Sequence, residues 1–290
     1  MLSTVEKFQQ AIAAAGLLVP EVIQADGKLH RFGTNGKPGD QAGWYVFHDD
    51  GDMAHGAFGC WRADTSWPWC SKDVTSLSAE ERHAHKQRMQ EIAAQRQADQ
   101  ALNQQQAAAI AVHRWEKAEA ASDDHPYLLR KGIKAHGVKS EGEALLVPLR
   151  DVSTNLHSLQ IIGPEGDKRF QPGGRIKGCY FSIGKPKGKL IVCEGMATGA
   201  SIHEATGHVV ACAMFAGNLL PVAQSLHAKY PDLTLVVAAD DDWTKPTNTG
   251  LVKAREAAQA VGALLAVPRF TADRGEADTD FNDMHHVLGL

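Results

Sequence analysis

Two short apolar runs that each end in acids constrain this 290-residue chain most. Leu190-Ile191-Val192-Cys193 leads into Glu194-Gly195, and Leu233-Thr234-Leu235-Val236-Val237-Ala238-Ala239 leads into Asp240-Asp241-Asp242. A third acidic piece, Asp278-Thr279-Asp280-Phe281-Asn282-Asp283, lies near the C-terminus. Apolar runs of this length, bounded by turn residues and alternating with helical stretches, read as buried parallel strands. Strands are expected at 189–193, 209–213, 233–239 and 264–267. Helices are expected between them, over 195–205, 218–230 (Pro221 in the first turn) and 250–262. The small residues after Glu194, Gly195 among them, suggest a helix packed close to its strand. This βαβαβαβ order predicts an α/β fold, a parallel sheet with helices on both faces. Acids that follow such strands stand at the sheet's carboxyl edge, where open α/β sheets place ligands. Carboxylate clusters meeting there repel one another unless cations lie between them, and an oxygen-only donor set suits Mg²⁺ or Mn²⁺.

Glu194-Gly195, Asp240-x-Asp242 and Asp280-x-Asn282-Asp283, in this order and these contexts, resemble the TOPRIM domain. That catalytic fold is shared by bacterial DnaG-type primases, topoisomerases and some nucleases. The resemblance covers residues from about 187 onward closely and Lys131 to Gly184 more loosely. It implies that Glu194, Asp240 and Asp242 are catalytic and that, with Asp280 and Asp283, they hold two Mg²⁺ or Mn²⁺ ions. It further implies Glu194 as general base. Asp241, between two ligands in an extended segment, points the other way. Helix N-capping competes as a reading of Asp240–Asp242, and of Asp280 and Asp283. The chain departs from many TOPRIM proteins in inserting Trp243-Thr-Lys-Pro-Thr-Asn-Thr before Gly250; Lys245 in this loop is a candidate phosphate contact.

The rest of the chain divides into three further parts. Residues 1–75 form a small module with an amphipathic helix over 3–17, stopped at Gly16, and a β-rich stretch dense in aromatics. Gly43 to His48 reads as a strand and Asp49-Asp50-Gly51 as a turn. The aromatics are either a core or a stacking surface for single-stranded bases, with Lys28, His30, Arg31, Lys37, Arg62 and Lys72 interleaved. DnaG-type primases carry a four-ligand zinc ribbon at this end. Here Cys60 and Cys70, with His48 and His55 nearby, include no C-x-x-C pair, so zinc is not expected. Residues 76–122 read as a long polar helix serving as a connector, opened by a Ser78–Glu81 capping box, with a break near Asn103 as an option. Residues 123–188 read as a strand-rich subdomain that resembles the part preceding TOPRIM in primases. Arg150, Lys168, Arg169, Arg175 and Lys177 are its candidate template and nucleotide contacts, with a solvated surface role as the alternative for each. The TOPRIM part is then 189–290.

A net charge of −4 does not advertise a nucleic-acid binder, although an acidic metal site can mask a local basic patch. Five scattered cysteines, no signal peptide and no long apolar run point to a cytoplasmic, membrane-free protein. The expected function is that of a plasmid- or phage-type DNA primase. Such an enzyme makes short RNA primers on single-stranded DNA from ribonucleoside triphosphates, with a helicase or other replication protein as partner. No G-x-x-x-x-G-K-[ST] phosphate loop is present, so any helicase must be elsewhere. The alternatives are a metal-dependent TOPRIM nuclease and a single-stranded-DNA-binding accessory protein.

Overall fold

The computed structural model describes residues 2–37, 39–49, 53–61, 63, 65–72, 77–270 and 274–289. Arg62 and the Asp50-Gly51 part of the expected turn lie outside them. The chain forms two compact units, Met1–Leu102 and Asn103–Leu290. Among the described residues no helix is long and apolar enough to cross a membrane.

In the first unit, α1 (Thr4–Ala14) opens with a Ser3–Glu6 capping box: Glu6 N–H donates to the Ser3 hydroxyl, and Ser3 N–H to the Glu6 carboxylate. Four antiparallel strands come next as a meander: β1 (His30–Phe32), β2 (Gly43–His48), β3 (His55–Cys60) and β4 (Thr65–Cys70). The aromatics are this unit's core. Phe8 of α1 stacks on Phe47 at 4.7 Å between centroids and meets the edges of Trp69 and Phe58 at 5.1 and 5.6 Å. Trp44 is buried beneath the Arg96 guanidinium, 4.8 Å from the ring. Faces committed in this way are closed to stacking on bases. Gly59 makes the sheet possible, because a Cβ there would lie 2.1 Å from the Thr65 carbonyl and 2.8 Å from the Trp44 ring. The helix α2 (Ala79–Lys117) begins with the expected capping box between Ser78 and Glu81 and runs without a break at Asn103.

The second unit holds two five-stranded sheets. The antiparallel one runs in spatial order β5 (Glu119–Ala120), β6 (Lys139–Glu141), β7 (Ala144–Arg150), β8 (Leu156–Ile162) and β9 (Lys168–Phe170), with α3 (Pro126–Arg130) between β5 and β6 in the chain. Ala111 and Trp115 of α2 pack on Leu146, Leu156, Leu159 and Ile161.

The other sheet is built from β10 (Phe181–Ile183), β11 (Lys189–Cys193), α4 (Met196–Thr206), β12 (Val209–Cys212), α5 (Leu219–Lys229), β13 (Thr234–Ala238), α6 (Thr249–Val261) and β14 (Leu264–Ala266), followed by α7 (Phe281–Leu288). Its order is β10-β12-β11-β13-β14, with β11 to β14 parallel and β10 an antiparallel edge. Side-chain alternation sends Ile191, Cys193, Val210 and Cys212 to the α4 face and Leu190, Val192, Leu235 and Val237 to the α5–α6 face, so helices cover both.

Two expectations change. The 181–183 strand pairs with β12 and so belongs to the parallel sheet, not to the strand-rich subdomain. The glycine that lets α4 approach its strands is Gly199, where a Cβ would lie 2.3 Å from the Cys212 sulfur; at Gly195, the α4 N-cap, it would meet only an ordinary contact at 3.5 Å.

Candidate active site

The chain leaves β11 into α4 on one face of the sheet and leaves β13 into α6 on the other. Neighbouring parallel strands whose connections part in this way leave a crevice at their carboxyl ends. Glu194 comes immediately after β11, and Asp240 to Asp242 come after β13. The start of α6 closes on this point, since a Cβ on Gly250 would lie 2.7 Å from the Asp240 carbonyl.

Burial pushes the Asp240 carboxyl up to about 8, and the negative charges of Glu194, Asp280, Asp242 and Asp283 add to the effect. Burial also raises Glu194, with Asp242 the next cause, and an N–H of Ala216 works against it. The five acids expected at the site therefore act on one another. Asp240 Oδ1 is buried and has no hydrogen-bond partner among the described residues. An unpartnered buried carboxylate oxygen within an all-oxygen set of like charges fits hard divalent cations. Asp242 is the more engaged acid: Lys245 Nζ donates to its Oδ1 at 2.8 Å, and Gly250 N–H approaches its Oδ2 at 3.4 Å.

Asp280 and Asp283 both cap a helix and face the cluster. Asp280 Oδ1 accepts the N–H groups of Asn282 and Asp283 at 2.7 and 2.9 Å, while Asp283 Oδ2 accepts those of Thr279 and Asp280 at 3.0 and 3.3 Å. This is the capping box of α7. Thr198 Oγ1, from α4, donates to Asp280 Oδ2 at 2.9 Å. Asn282 is fully buried and is an anchor: its amide donates to the Lys131 carbonyl and to Ser201 Oγ at 2.8 and 2.9 Å. The capping reading and the site reading thus describe the same residues.

Asp241 points elsewhere. Burial alone would raise its carboxyl, but hydrogen bonds from Arg274 and Asn248 outweigh this and hold it low. Arg274 is a residue the sequence reading missed. It donates to Asp241 Oδ2 at 2.7 Å, to the Asp241 carbonyl at 2.9 Å and to the Asp278 carbonyl at 2.8 Å. Its guanidinium also lies 5.0 Å from the Trp243 ring and 4.3 Å from Phe270. It therefore ties the second acidic motif to the third. Met214 was missed as well. It sits in the left-handed region at φ 73°, and its N–H reaches the Glu194 carbonyl at 2.6 Å, extending the β11–β12 pairing to the catalytic candidate. Neither residue carries a composition signal; both depend on tertiary placement.

The basic candidates lie on the antiparallel sheet and just beyond it. Lys168 and Arg169 are exposed on β9, with Lys168 Nζ 5.5 Å from the Tyr127 ring. Arg150 ends β7, 5.9 Å from the Trp115 ring, and donates to the Thr154 carbonyl. Arg175 is paired with Asp151 at 3.1 Å, and Lys177 is exposed in the turn that follows.

Residues 189–289 match the Toprim domain family. Two Escherichia coli proteins named DNA primase TraC align with 91% of this chain. One is 33% identical over 282 residues and the other 35% over 287 residues. The chain spans 26% and 19% of their own lengths. Among solved structures, the primase fragment of the bacteriophage T7 primase-helicase protein aligns with 60% of this chain and 73% of its own, at 14% identity and a TM-score of 0.43. Residues 189–289 of this chain are a Toprim domain, and it is their sheet that carries the acid cluster.

Proposed function

We propose that this chain is the catalytic part of a DNA primase, a nucleotidyltransferase that builds short RNA primers on single-stranded DNA from ribonucleoside triphosphates. The observation that carries this reading is the likeness to proteins named DNA primase across 91% of the chain, well beyond the Toprim domain alone.

In the reaction, a 3′-hydroxyl attacks the α-phosphorus of the incoming nucleotide. The new O–P bond forms as the bond to pyrophosphate breaks, and the hydroxyl proton must leave. Glu194, immediately after β11 and within the acid cluster, would take that proton. Glu194, Asp240, Asp242, Asp280 and Asp283 would hold the two divalent cations, which when bound supply charge neutralisation for the triphosphate and the departing pyrophosphate. Thr198 and the α7 capping box keep Asp280 oriented, and Arg274 keeps the two acidic loops in register. Lys245, exposed on the inserted loop beside Asp242, is positioned to exchange that partner for a nucleotide phosphate. Lys168, Arg169, Arg150, Arg175 and Lys177 would meet the template backbone, where charge without fixed geometry suffices. The protein would work in the cytoplasm beside a helicase or another replication protein.

The test is primer synthesis on single-stranded DNA with labelled ribonucleotides and Mg²⁺ or Mn²⁺. The wild type should yield short products, and Glu194→Gln and Asp240→Asn should lose them. DNA cutting that stops in the same variants would replace this reading with the nuclease, because the same acids can activate water. Strand binding with neither reaction would leave an accessory role.

A further inference from the structure

A second group of metal-ligating side chains lies within the first unit, away from any acid of the Toprim motifs in sequence. His55 opens β3, and its cross-strand partner is Cys70, the last residue of β4. His85 lies in the second turn of α2. The Nδ1 atoms of His55 and His85 face each other at 3.0 Å, and the two rings stack at 5.2 Å between centroids, 23° apart. One ligand atom from each of His55, Cys70 and His85 lies within 4.8 Å of the other two. His55 is buried, and the other two are half-buried.

We propose that His55, Cys70 and His85 bind one Zn²⁺, with a water molecule at the fourth corner. The ligand chemistry is two imidazole nitrogens and one thiolate, a set that selects zinc among the common divalent cations and excludes Mg²⁺. Around tetrahedral zinc, nitrogens ~2.0 Å and a sulfur ~2.3 Å from the metal stand roughly 3.3 Å (N to N) and 3.6 Å (N to S) apart. The two nitrogens already meet that spacing closely, and the sulfur needs only a side-chain adjustment. Two ring nitrogens facing each other at this distance share one proton, whereas an ion uses both lone pairs. The arrangement also has a structural purpose. Its ligands come from two adjacent strand ends and from a helix more than a dozen residues on, so one ion pins the start of α2 to the β3–β4 edge. This differs from a cysteine ribbon, whose ligands come in tight C-x-x-C pairs; here His55, Cys70 and His85 are evenly and widely spaced in sequence, with no close pair among them. That spacing is why the absence of C-x-x-C argued against zinc at the level of sequence.

The test uses the full chain, stripped with a chelator and then held in excess Mg²⁺ so that the carboxylate cluster is occupied. Co²⁺ is titrated as a spectroscopic probe and Zn²⁺ as its competitor. The wild type should show thiolate-to-cobalt charge-transfer and tetrahedral d–d bands that saturate at one equivalent and disappear as Zn²⁺ displaces the cobalt. Cys70→Ser should lose the charge-transfer band. Loss of even an outer-shell partner costs about 10–100-fold in metal affinity, so His85→Gln should weaken Zn²⁺ binding by at least about 100-fold. Cys60→Ser, which alters a neighbouring cysteine outside the cluster, should keep the bands. Circular dichroism of each metal-free variant checks folding, and thermal unfolding gives a second reading: Zn²⁺ should raise the wild-type midpoint and leave that of Cys70→Ser unchanged. No charge-transfer band in the wild type at one equivalent, or bands of undiminished affinity in Cys70→Ser and His85→Gln, would overturn the proposal.

Discussion

Replacing Asp240 by Asn should make the metal-free protein more stable while removing its response to divalent cations. The carboxyl is held at about 8 by burial and by its acidic neighbours. An unfolded Asp titrates near 3.9, so the folded state binds the proton more tightly, and wild-type stability falls as pH rises between the two values. The penalty is absent below about pH 4 and complete above about pH 8; near pH 7 it amounts to roughly 4 kcal/mol at most. Relaxation and water entry reduce it, so about 2 kcal/mol is expected, or about 4–8 °C in a unit of this size. Asn removes the charge, and its amide can donate to the neighbouring carboxylates. Thermal unfolding in EDTA should therefore show Asp240→Asn above the wild type near pH 7.5, with the gap closing as pH falls toward about 4. Added Mg²⁺ should raise the wild-type midpoint and leave the variant unmoved. A variant less stable than the wild type in EDTA near neutral pH, or a gap that does not depend on pH, would refute the idea that these acids form a repulsive cluster awaiting cations.

Arg274→Ala should cost about 2 kcal/mol of stability, since it leaves Asp241 half-buried without its main partner, and should weaken Mn²⁺ binding measured by titration. Arg274→Lys should recover little of this, because one ammonium cannot replace a fork that holds two carbonyls and a carboxylate. Gly199→Ala should destabilise the second unit by about 1–3 kcal/mol in denaturant titrations, as the added methyl would drive α4 off β12. Lys245→Ala should raise the KM for nucleotide several-fold in steady-state assays with little change in kcat, the pattern of a lost ground-state phosphate contact.

The Toprim sheet was legible in the sequence because its strands are buried on both faces and so read as unbroken apolar runs. Val192 and Val237 are fully buried and sit opposite each other in register. The acids were legible because parallel strands all deliver their next residues to a single edge. Less could be read where contacts are distant in sequence. β10 is three residues long and pairs with a strand some thirty positions on, so nothing local marks it as part of the parallel sheet. Gly195 and Gly199 look alike in a run of small residues, and only the positions of the Cys193 and Cys212 sulfurs separate them. Arg274 stands in a loop of mixed charge, and its value lies in holding Asp241 and Asp278 together. The aromatics of the first unit could serve as core or stacking surface by composition alone; burial decides for Phe8 and Phe47, which are fully enclosed, and for Trp44, which is nearly so, while Trp61, Trp67 and Trp69 are half-buried.

If the crevice acids drive primer synthesis, two adjacent residues should differ sharply in their effect on it. Asp241 and Asp242 are chemically identical neighbours, yet one is bound by Arg274 and the other faces the cluster. Primer synthesis should be measured for Asp241→Asn and Asp242→Asn under the same conditions. Asp242→Asn should abolish products, whereas Asp241→Asn, whose amide oxygen still accepts from Arg274, should retain most of the activity. Equal loss in both, or loss in Asp241→Asn alone, would contradict a catalytic role for the acids gathered at the crevice.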